Sequence, residues 1–358
     1  MALNSDNLPR IAVIGCGAAA REFFLPALRS SPQFAEKVTL VDQSQQQVEA
    51  TANEFGLKRT ATDFRSVAND VDAAIIATPH RYHCEQSIFL LEHGVHVLVE
   101  KPLGMSHDEA ARMVQAARSH DRILSVNNYR RLFPAYQTVR ELLTSRELGE
   151  LRAVTIRDGT KFAWQSVSGF YVRDPAARGV LLDRGAHTLD ILCWWLGSVP
   201  QVVSVECDTI SGVEALAHLH LVHDQTPIDV MFSRMHRLAN VYTIECVGGT
   251  IHGRLFDFAQ VTVSTPSGQR ILKPEPPQPY DEYARRLVTS FLQAVQHGGR
   301  PQVLAEDVAP SLQLMDAAYA SARVMTEPWY TSDPNVNWLA SQSPTFGAPV
   351  DTSGEASP

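Results

Sequence analysis

No run of the 358 residues approaches the ~20 consecutive apolar positions needed to cross a bilayer, so a membrane-spanning helix is excluded. Positive charge is in deficit: 31 Lys and Arg face 39 Asp and Glu, for a formal net charge of -8. With no basic stripe to offset phosphate repulsion, a nucleic-acid partner is excluded as well. Cysteine is sparse. Cys16, Cys84, Cys193, Cys207 and Cys246 stand singly with no Cys-x-x-Cys pair, which suits buried reduced thiols and builds neither a disulfide nor a zinc framework. The opening MALNSDNLPR lacks a basic start and an apolar core, so no secretory signal is expected and a cytoplasmic location is. There is no internal repeat.

What is present is globular in proportion, 44% hydrophobic and 20% charged, and longer than the ~100–200 residues of one domain, so two domains are the default. Residues 1–127 alternate β-rich apolar runs (RIAVIG, KVTLVD, VDAAIIATP, VHVLVE, RILSVN) with stretches of helical period such as SQQQVEATANEF, CEQSIFLLEHG and SHDEAARMVQAARSH. That alternation implies right-handed βαβ units and a parallel sheet covered on both faces. Residues 128–330 read differently. After a helix at PAYQTVRELL come strands near LRAVTIRDG, QVVSVECDT, EALAHLHLVH, IDVMFSRMH, VYTIECVGG and AQVTVSTP, separated by Gly- and Pro-marked turns, as in a mainly antiparallel sheet. Helices are expected at LLDRGAHTLDILCWWLG, EYARRLVTSFLQAVQHGG and EDVAPSLQLMDAAYASARVM, and residues 331–358 form a polar tail.

RIAVIGCGAAAREFFLPAL sets Gly15 and Gly17 at the end of a strand and opens a helix through Ala18 and Ala19, with Ala20 at the third position of the fingerprint. A dinucleotide site needs this context: a tight turn, close backbone approach to the pyrophosphate, and helix amides that hold the anion. KVTLVD ends in Asp42, placed to accept hydrogen bonds from the adenosine ribose. A carboxylate there repels a 2'-phosphate, and Gln43, Ser44 and Gln45 supply no cation to reverse that, so NAD is favoured over NADP. Thr78 and Pro79 follow the next main strand at the carboxyl edge, where ligands collect; an ordinary strand-to-helix turn is the alternative for each. Glu100, Lys101 and Pro102 end VHVLVEKPLG at the same edge, where a proline-fixed backbone suits a positioned catalytic group.

GCGAAA, ATP, EKPLG, NNYRRLFPAY and D-x-x-x-H-x-x-D from Asp183 to Asp190, in this order from about Arg10 to Met325, resemble the family of glucose-fructose oxidoreductase and inositol 2-dehydrogenase, called Gfo/Idh/MocA. The resemblance implies an α/β fold: an N-terminal Rossmann domain with a doubly wound parallel sheet, then a C-terminal α/β domain on an open, mainly antiparallel sheet. It also implies hydride transfer between a nicotinamide and a hydroxyl-bearing carbon, with His187 as general acid/base and Lys101 and Asp183 polarising and orienting nearby. One departure is that Ala177, Arg178 and Gly179 stand where many members carry a run of glycines, which bears on the shape of the substrate pocket. The chemistry is consistent with those residue types. Oxidising a secondary alcohol takes a proton from oxygen and a hydride from carbon, histidine titrates near working pH, and a lysine beside it stabilises the developing alkoxide.

Further candidate substrate contacts are Tyr129 in the connection between the domains and Lys161, Trp164, Ser168 and Tyr171 in TKFAWQSVSGFYVR, a mixture of rings and hydroxyls that suits a sugar as well as a core. Arg184 either contacts ligand, binds backbone or pairs with a carboxylate. His218 and His220 share one strand face, yet no cysteine or carboxylate cluster completes a metal site, so no metal is expected. In LLDRGAHTLDILCWWLG, Gly185, Leu189, Leu192 and Leu196 form a stripe expected to pack on the second sheet. Asp183, His187, Asp190 and Trp194 lie about 200° around the helix axis and are expected at a cleft edge.

The expectation is an NAD-dependent dehydrogenase or ketoreductase acting on a small polyhydroxylated substrate, a sugar, aminosugar or cyclitol. The alternatives are an NAD-dependent glycosidase working by transient oxidation and elimination, and a nucleotide-sensing regulator without turnover. The open sheet would leave a face uncovered, so a homodimer or homotetramer is expected.

Overall fold

The computed structural model describes residues 8–161, 177–209, 213–276 and 278–325. Six parallel strands form the first sheet: β1 (Ile11–Ile14), β2 (Val38–Val41), β3 (Arg59–Ala61), β4 (Ala73–Ile76), β5 (His96–Val99) and β6 (Leu124–Val126), in spatial order β3-β2-β1-β4-β5-β6. IAVI and AAII are buried at every position, so side chains on both faces of the central strands are covered, as the unbroken apolar runs require. The strand order reverses between β1 and β4, which opens a crevice at their carboxyl ends. β3 was not legible in the sequence: Arg-Thr-Ala at the sheet edge is exposed or half-buried and has no apolar pattern.

The helical run Ala20–Phe24 continues into α1 (Leu25–Leu28), followed by α2 (Phe34–Lys37), α3 (Gln45–Phe55), α4 (His83–Glu92) and α5 (His107–Ser119). Ser44 and Ser106 cap α3 and α5 by accepting hydrogen bonds from the amides of Gln47 and Glu109, which satisfies donors that have no partner within the helix.

The second sheet has nine strands: β7 (Leu151–Gly159), β8 (Gln201–Cys207), β9 (Leu216–His223), β10 (Thr226–Ser233), β11 (Val241–Cys246), β12 (Gly249–Arg254), β13 (Val261–Thr265), β14 (Gly268–Leu272) and β15 (Ala322–Val324). Their order is β14-β13-β12-β11-β7-β10-β9-β8-β15, antiparallel throughout except for β7 beside β10 and β8 beside β15. β12, β14 and β15 escape sequence reading because each is short and carries no sustained apolar alternation. The last helix, expected to run on to Met325, stops at Ser321 because Ala322–Val324 pair with Val205–Cys207.

Four further helices frame this sheet: α6 (Pro134–Ser145), α7 (Val180–Leu196), α8 (Tyr280–His297) and α9 (Ala305–Ser321). α7 is LLDRGAHTLDILCWWL with one residue before it, closed by Gly197 at φ 74°, a left-handed cap that glycine adopts without strain. Its apolar stripe differs from expectation at one end. A Cβ on Gly185 would meet Met315 Sδ at 3.2 Å, so that end faces α9 rather than the sheet, and glycine there permits close helix approach. Trp195 Nε1 donates to Tyr136 O at 2.9 Å, and the Tyr319 hydroxyl accepts from Leu182 N at 3.1 Å, so α7 is clamped between α6 and α9. α9 also returns to the first sheet, where Ser125 Oγ donates to Val303 O at 2.6 Å and Asp316 accepts from His107 N at 2.7 Å.

Asp190 is not at a cleft edge. Its side chain is 1% exposed and faces Arg131, itself 8% exposed, through two bonds of 2.9 and 2.6 Å, while Arg131 also reaches Asp307 O at 2.7 Å. The carboxylate can be buried because a guanidinium fork satisfies both oxygens. Removing one partner leaves an uncompensated buried charge, so Asp190→Ala is expected to destabilise the fold by about 3–5 kcal/mol, read as a fall in urea midpoint, whereas Arg131→Met with Asp190→Leu recovers most of that loss.

Candidate active site

At the end of β1 the backbone turns through Gly15 at φ +93°, and a Cβ there would come within 2.6 Å of Ala77 O. Only glycine fits this turn. Gly17 is different: nothing lies within 4 Å of where its Cβ would be, so the turn offers an open cradle in front of Ala18 and Ala19, the first residues of the helical run. Asp42 is brought to the same turn. Its Oδ2 accepts from Cys16 N and its Oδ1 from Ser44 N, both at 2.9 Å, while Gln47 Nε2 donates to Cys16 O at 2.9 Å. Open glycine, helix start and carboxylate therefore stand together, an arrangement that fits the phosphates and ribose of a dinucleotide.

Across the switch point, Thr78 and Pro79 follow β4. The Thr78 hydroxyl donates to Gln86 Oε1 at 2.7 Å; its carbonyl bonds His83 Nε2 at 2.9 Å, and His83 Nδ1 meets Pro102 O at 2.8 Å. The buried His83 thus ties this turn to the one carrying Lys101. Glu100 is buried as well, and its carboxylate accepts from Lys101 N at 2.7 Å and Asn127 Nδ2 at 2.6 Å. Burial raises its pKa, opposed by Lys101 and Asn127. Its visible work is to hold the lysine's backbone.

Lys101 reaches the second domain's helix. Its Nζ lies 2.8 Å from Asp183 Oδ1, and Arg234 Nη2 lies 3.1 Å from Asp183 Oδ2, so one carboxylate is gripped by two cations. Burial alone would raise the Asp183 pKa, but Lys101 and then Arg234 pull it well below the ordinary carboxylate range. One turn along α7, His187 is buried and its Nδ1 has no hydrogen-bond partner among the described residues. Burial, reinforced by the positive charges of Arg130, Lys101 and Arg184, holds its pKa well below the ordinary 6.5, so the ring is neutral near pH 7. Asn128 Nδ2 donates to Ala186 O at 2.9 Å and fixes this part of α7 to the end of β6. The Tyr129 ring stands 5.7 Å from the His187 ring, and the Tyr129 and Tyr280 hydroxyls are hydrogen-bonded to each other.

The structure thus brings Lys101, Asp183, His187 and Tyr129 together at the carboxyl edge of the first sheet, with Gly15, Gly17, Asp42, Thr78, Pro79 and Glu100 along the same edge. Lys161 is exposed just past β7 and makes no hydrogen bond or ion pair among the described residues. Trp164, Ser168 and Tyr171 lie outside the described residues. Arg184 pairs with Asp158 and Thr160, and Thr188 Oγ1 donates to the other oxygen of Asp158 at 2.7 Å. Arg234 and Tyr280 were missed, since each reaches the site only through tertiary contact and carries no local pattern; Asn127 lay within NNYRRLFPAY, but its bond to Glu100 depends on the pairing of β5 with β6.

The argument against a carboxylate beside His218 and His220 is overturned. The pairing of β9 and β10 sets Asp229 opposite His220, and its Oδ2 lies 2.8 Å from His218 Nε2 and 3.1 Å from His220 Nδ1. Arg157 is ion-paired to the other oxygen of that carboxylate.

Residues 9–128 match the family model described as an oxidoreductase family, NAD-binding Rossmann fold, and residues 136–252 match the GFO/IDH/MocA C-terminal domain. The chain is 26% identical over 316 residues to the 1,5-anhydro-D-fructose reductase of Ensifer adhaerens, covering 85% of this chain and 93% of the relative. It is 28% identical over 304 residues to the dTDP-3,4-didehydro-2,6-dideoxy-alpha-D-glucose 3-reductase of Streptomyces violaceoruber, covering 81% and 86%. In fold it resembles the crystal structure of a 3-ketoreductase from Actinomadura kijaniata in complex with NADP and TDP-benzene, with a TM-score of 0.76 over 90% of this chain and 100% of that one, at 23% identity.

The two glycines of the turn separate folding from binding. Gly15→Ala is expected to cost about 1–3 kcal/mol of stability through backbone strain, more where the clash with Ala77 is not relieved. Gly17→Ala is expected to leave stability within about 0.5 kcal/mol while weakening NAD binding about tenfold or more, read by thermal unfolding and by fluorescence titration with NADH.

Proposed function

We propose that this chain, which belongs to the Gfo/Idh/MocA family of oxidoreductases, transfers hydride between NAD(H) and a secondary hydroxyl or ketone of a sugar, aminosugar or cyclitol. The observation that carries the reading is the Lys101–Asp183 ion pair beside a buried, neutral His187, at the edge of the sheet that bears the open glycine turn.

NAD, when bound, supplies the hydride acceptor for oxidation and, reduced, the donor for the reverse. The amides opening at Gly17, Ala18 and Ala19 would hold its pyrophosphate and Asp42 its adenosine ribose, with Thr78, Pro79 and Glu100 lining the path toward Lys101. His187 takes the proton from the substrate hydroxyl as the carbon gives up its hydride, so the alcohol loses both and becomes a carbonyl. Lys101 faces the oxygen with a positive charge as it gains alkoxide character. Asp183 holds that ammonium in place and is itself held by Arg234. In reduction the protonated His187 returns the proton. Tyr129, Lys161, Trp164 and Tyr171 are assigned to the substrate side, which sugar rings and hydroxyls would occupy.

Residues 1–127 are assigned to cofactor, 128–330 to substrate and oligomerisation, and 331–358 to a polar tail. The homodimer or homotetramer reading is supported by the face of the second sheet opposite α7, where Thr155, Arg157, His218, Asp229, Met231 and Thr243 are all half-buried. No described helix is long and apolar enough to cross a membrane, and the cytoplasmic reading draws on five free cysteines, four of them buried.

His187→Asn is expected to lower turnover by roughly 10² to 10⁴ while NADH affinity is spared, measured by stopped-flow absorbance and fluorescence titration; unchanged turnover removes His187 from its role. Because the pKa of His187 is depressed, its basic form persists as pH falls and is lost only on passing below that lowered value. The acid limb of oxidative kcat/KM therefore lies below pH 6.5, and a limb at or above it contradicts the assignment. Asp42→Ala is expected to raise kcat/KM with NADP relative to NAD about tenfold or more by removing a repulsive charge.

A further inference from the structure

Among the described residues, each buried cation around α7 is held by a carboxylate, with a single exception. Arg131 is held by Asp190, Arg184 by Asp158, and Lys101 and Arg234 share Asp183. Arg130, in the same connection after β6, is 7% exposed, and its side chain makes no hydrogen bond or ion pair among the described residues; its Nε is sealed from solvent with no partner. Its recorded contact is the Phe256 ring, 5.7 Å from Cζ. Asp158, whose charge acts on it, has both oxygens committed to Arg184 and Thr188.

A guanidinium that cannot be deprotonated and has been buried without a carboxylate bonded to it is a state that folding avoids. It persists where a ligand will complete it. Arg130 also does not stand alone. The next residue back, Tyr129, lies against the ring of His187, whose Nδ1 is equally buried and equally without a partner. Among the charges that act on His187, that of Arg130 is the largest. Two unsatisfied groups of different chemistry therefore stand beside Tyr129: an imidazole suited to a hydroxyl and a guanidinium suited to an oxyanion.

We propose that Arg130 binds a carboxylate on the substrate, so that the polyol this site accepts is a sugar acid rather than a neutral sugar. A planar carboxylate accepts two parallel hydrogen bonds from one guanidinium, so one such group satisfies the fork of Arg130. A phosphate ester, with three terminal oxygens, would leave at least one oxygen unmatched by one guanidinium. The inference rests on the active-site reading only for where the reacting hydroxyl lies; the anion contact stands on Arg130 itself.

Calorimetric titration of the chain loaded with NADH tests this, using gluconate, galactonate and glucuronate beside glucitol, galactitol, glucose and glucose 6-phosphate. At least one acid is expected to bind more tightly than its neutral counterpart, and Arg130→Met to weaken that acid about 100-fold while NADH affinity is unchanged. Arg130→Lys should recover part of the loss. Removing an unmatched buried charge should also raise the Tm of Arg130→Met, or leave it unchanged, in the absence of substrate. Neutral sugars binding as tightly as the acids, glucose 6-phosphate alone binding, no acid binding, acid affinity unmoved in Arg130→Met, or an unfolded or less stable Arg130→Met each overturn the proposal. Binding is read here without hydride transfer. Acids that bind through Arg130 yet give no change in NADH absorbance refute the proposed reaction alone, and turnover confined to neutral sugars refutes the carboxylate contact alone.

Discussion

The ion pair between Lys101 and Asp183 is the contact on which the site depends. It joins the carboxyl edge of the parallel sheet to the first turn of α7, across 82 residues of sequence, with both side chains less than a fifth exposed. Partial burial strengthens the attraction and also raises what each charge loses by leaving water, so the pair is stable only with further support. That support is present on both sides. Glu100 fixes the lysine backbone, and Arg234 takes the second oxygen of Asp183. Asn128, at the end of β6, bonds the carbonyl of Ala186 next to the histidine.

The rest of α7 follows the same rule with different partners. Asp190 and Arg131 form a buried pair that joins α7 to α9, while Arg184 and Thr188 share Asp158 at the end of β7. A helix this apolar can carry Asp183, Arg184 and Asp190 because partners on four other segments come to meet them. The histidine is the member left without a counter-charge. Burial and the neighbouring cations keep it neutral, which is the condition a general base requires.

Much of this was legible in the chain. The alternation of apolar runs and helical stretches foretold the parallel sheet, and Gly15 and Gly17 foretold the turn, because backbone conformation and strand burial are written in local residue type. Lys101, Asp183 and His187 were legible as an ordered set of motifs. Arg234, Asn127, Tyr280 and Arg130 were not. An arginine after a strand looks the same whether it ends in solvent, on a carboxylate or buried without a partner.

The sequence by itself determined which segments become strands and helices, where the chain must turn on glycine, and which residue types could carry acid/base chemistry, since these depend on neighbours a few positions away. Only the tertiary structure decided which charge meets which. It sent Asp190 into the interior against Arg131 instead of to the cleft, turned Gly185 toward α9, and set Asp229 between two histidines. The reason is physical: a buried charge is settled by whatever lies within a few ångströms, and those neighbours come from segments tens to hundreds of residues away.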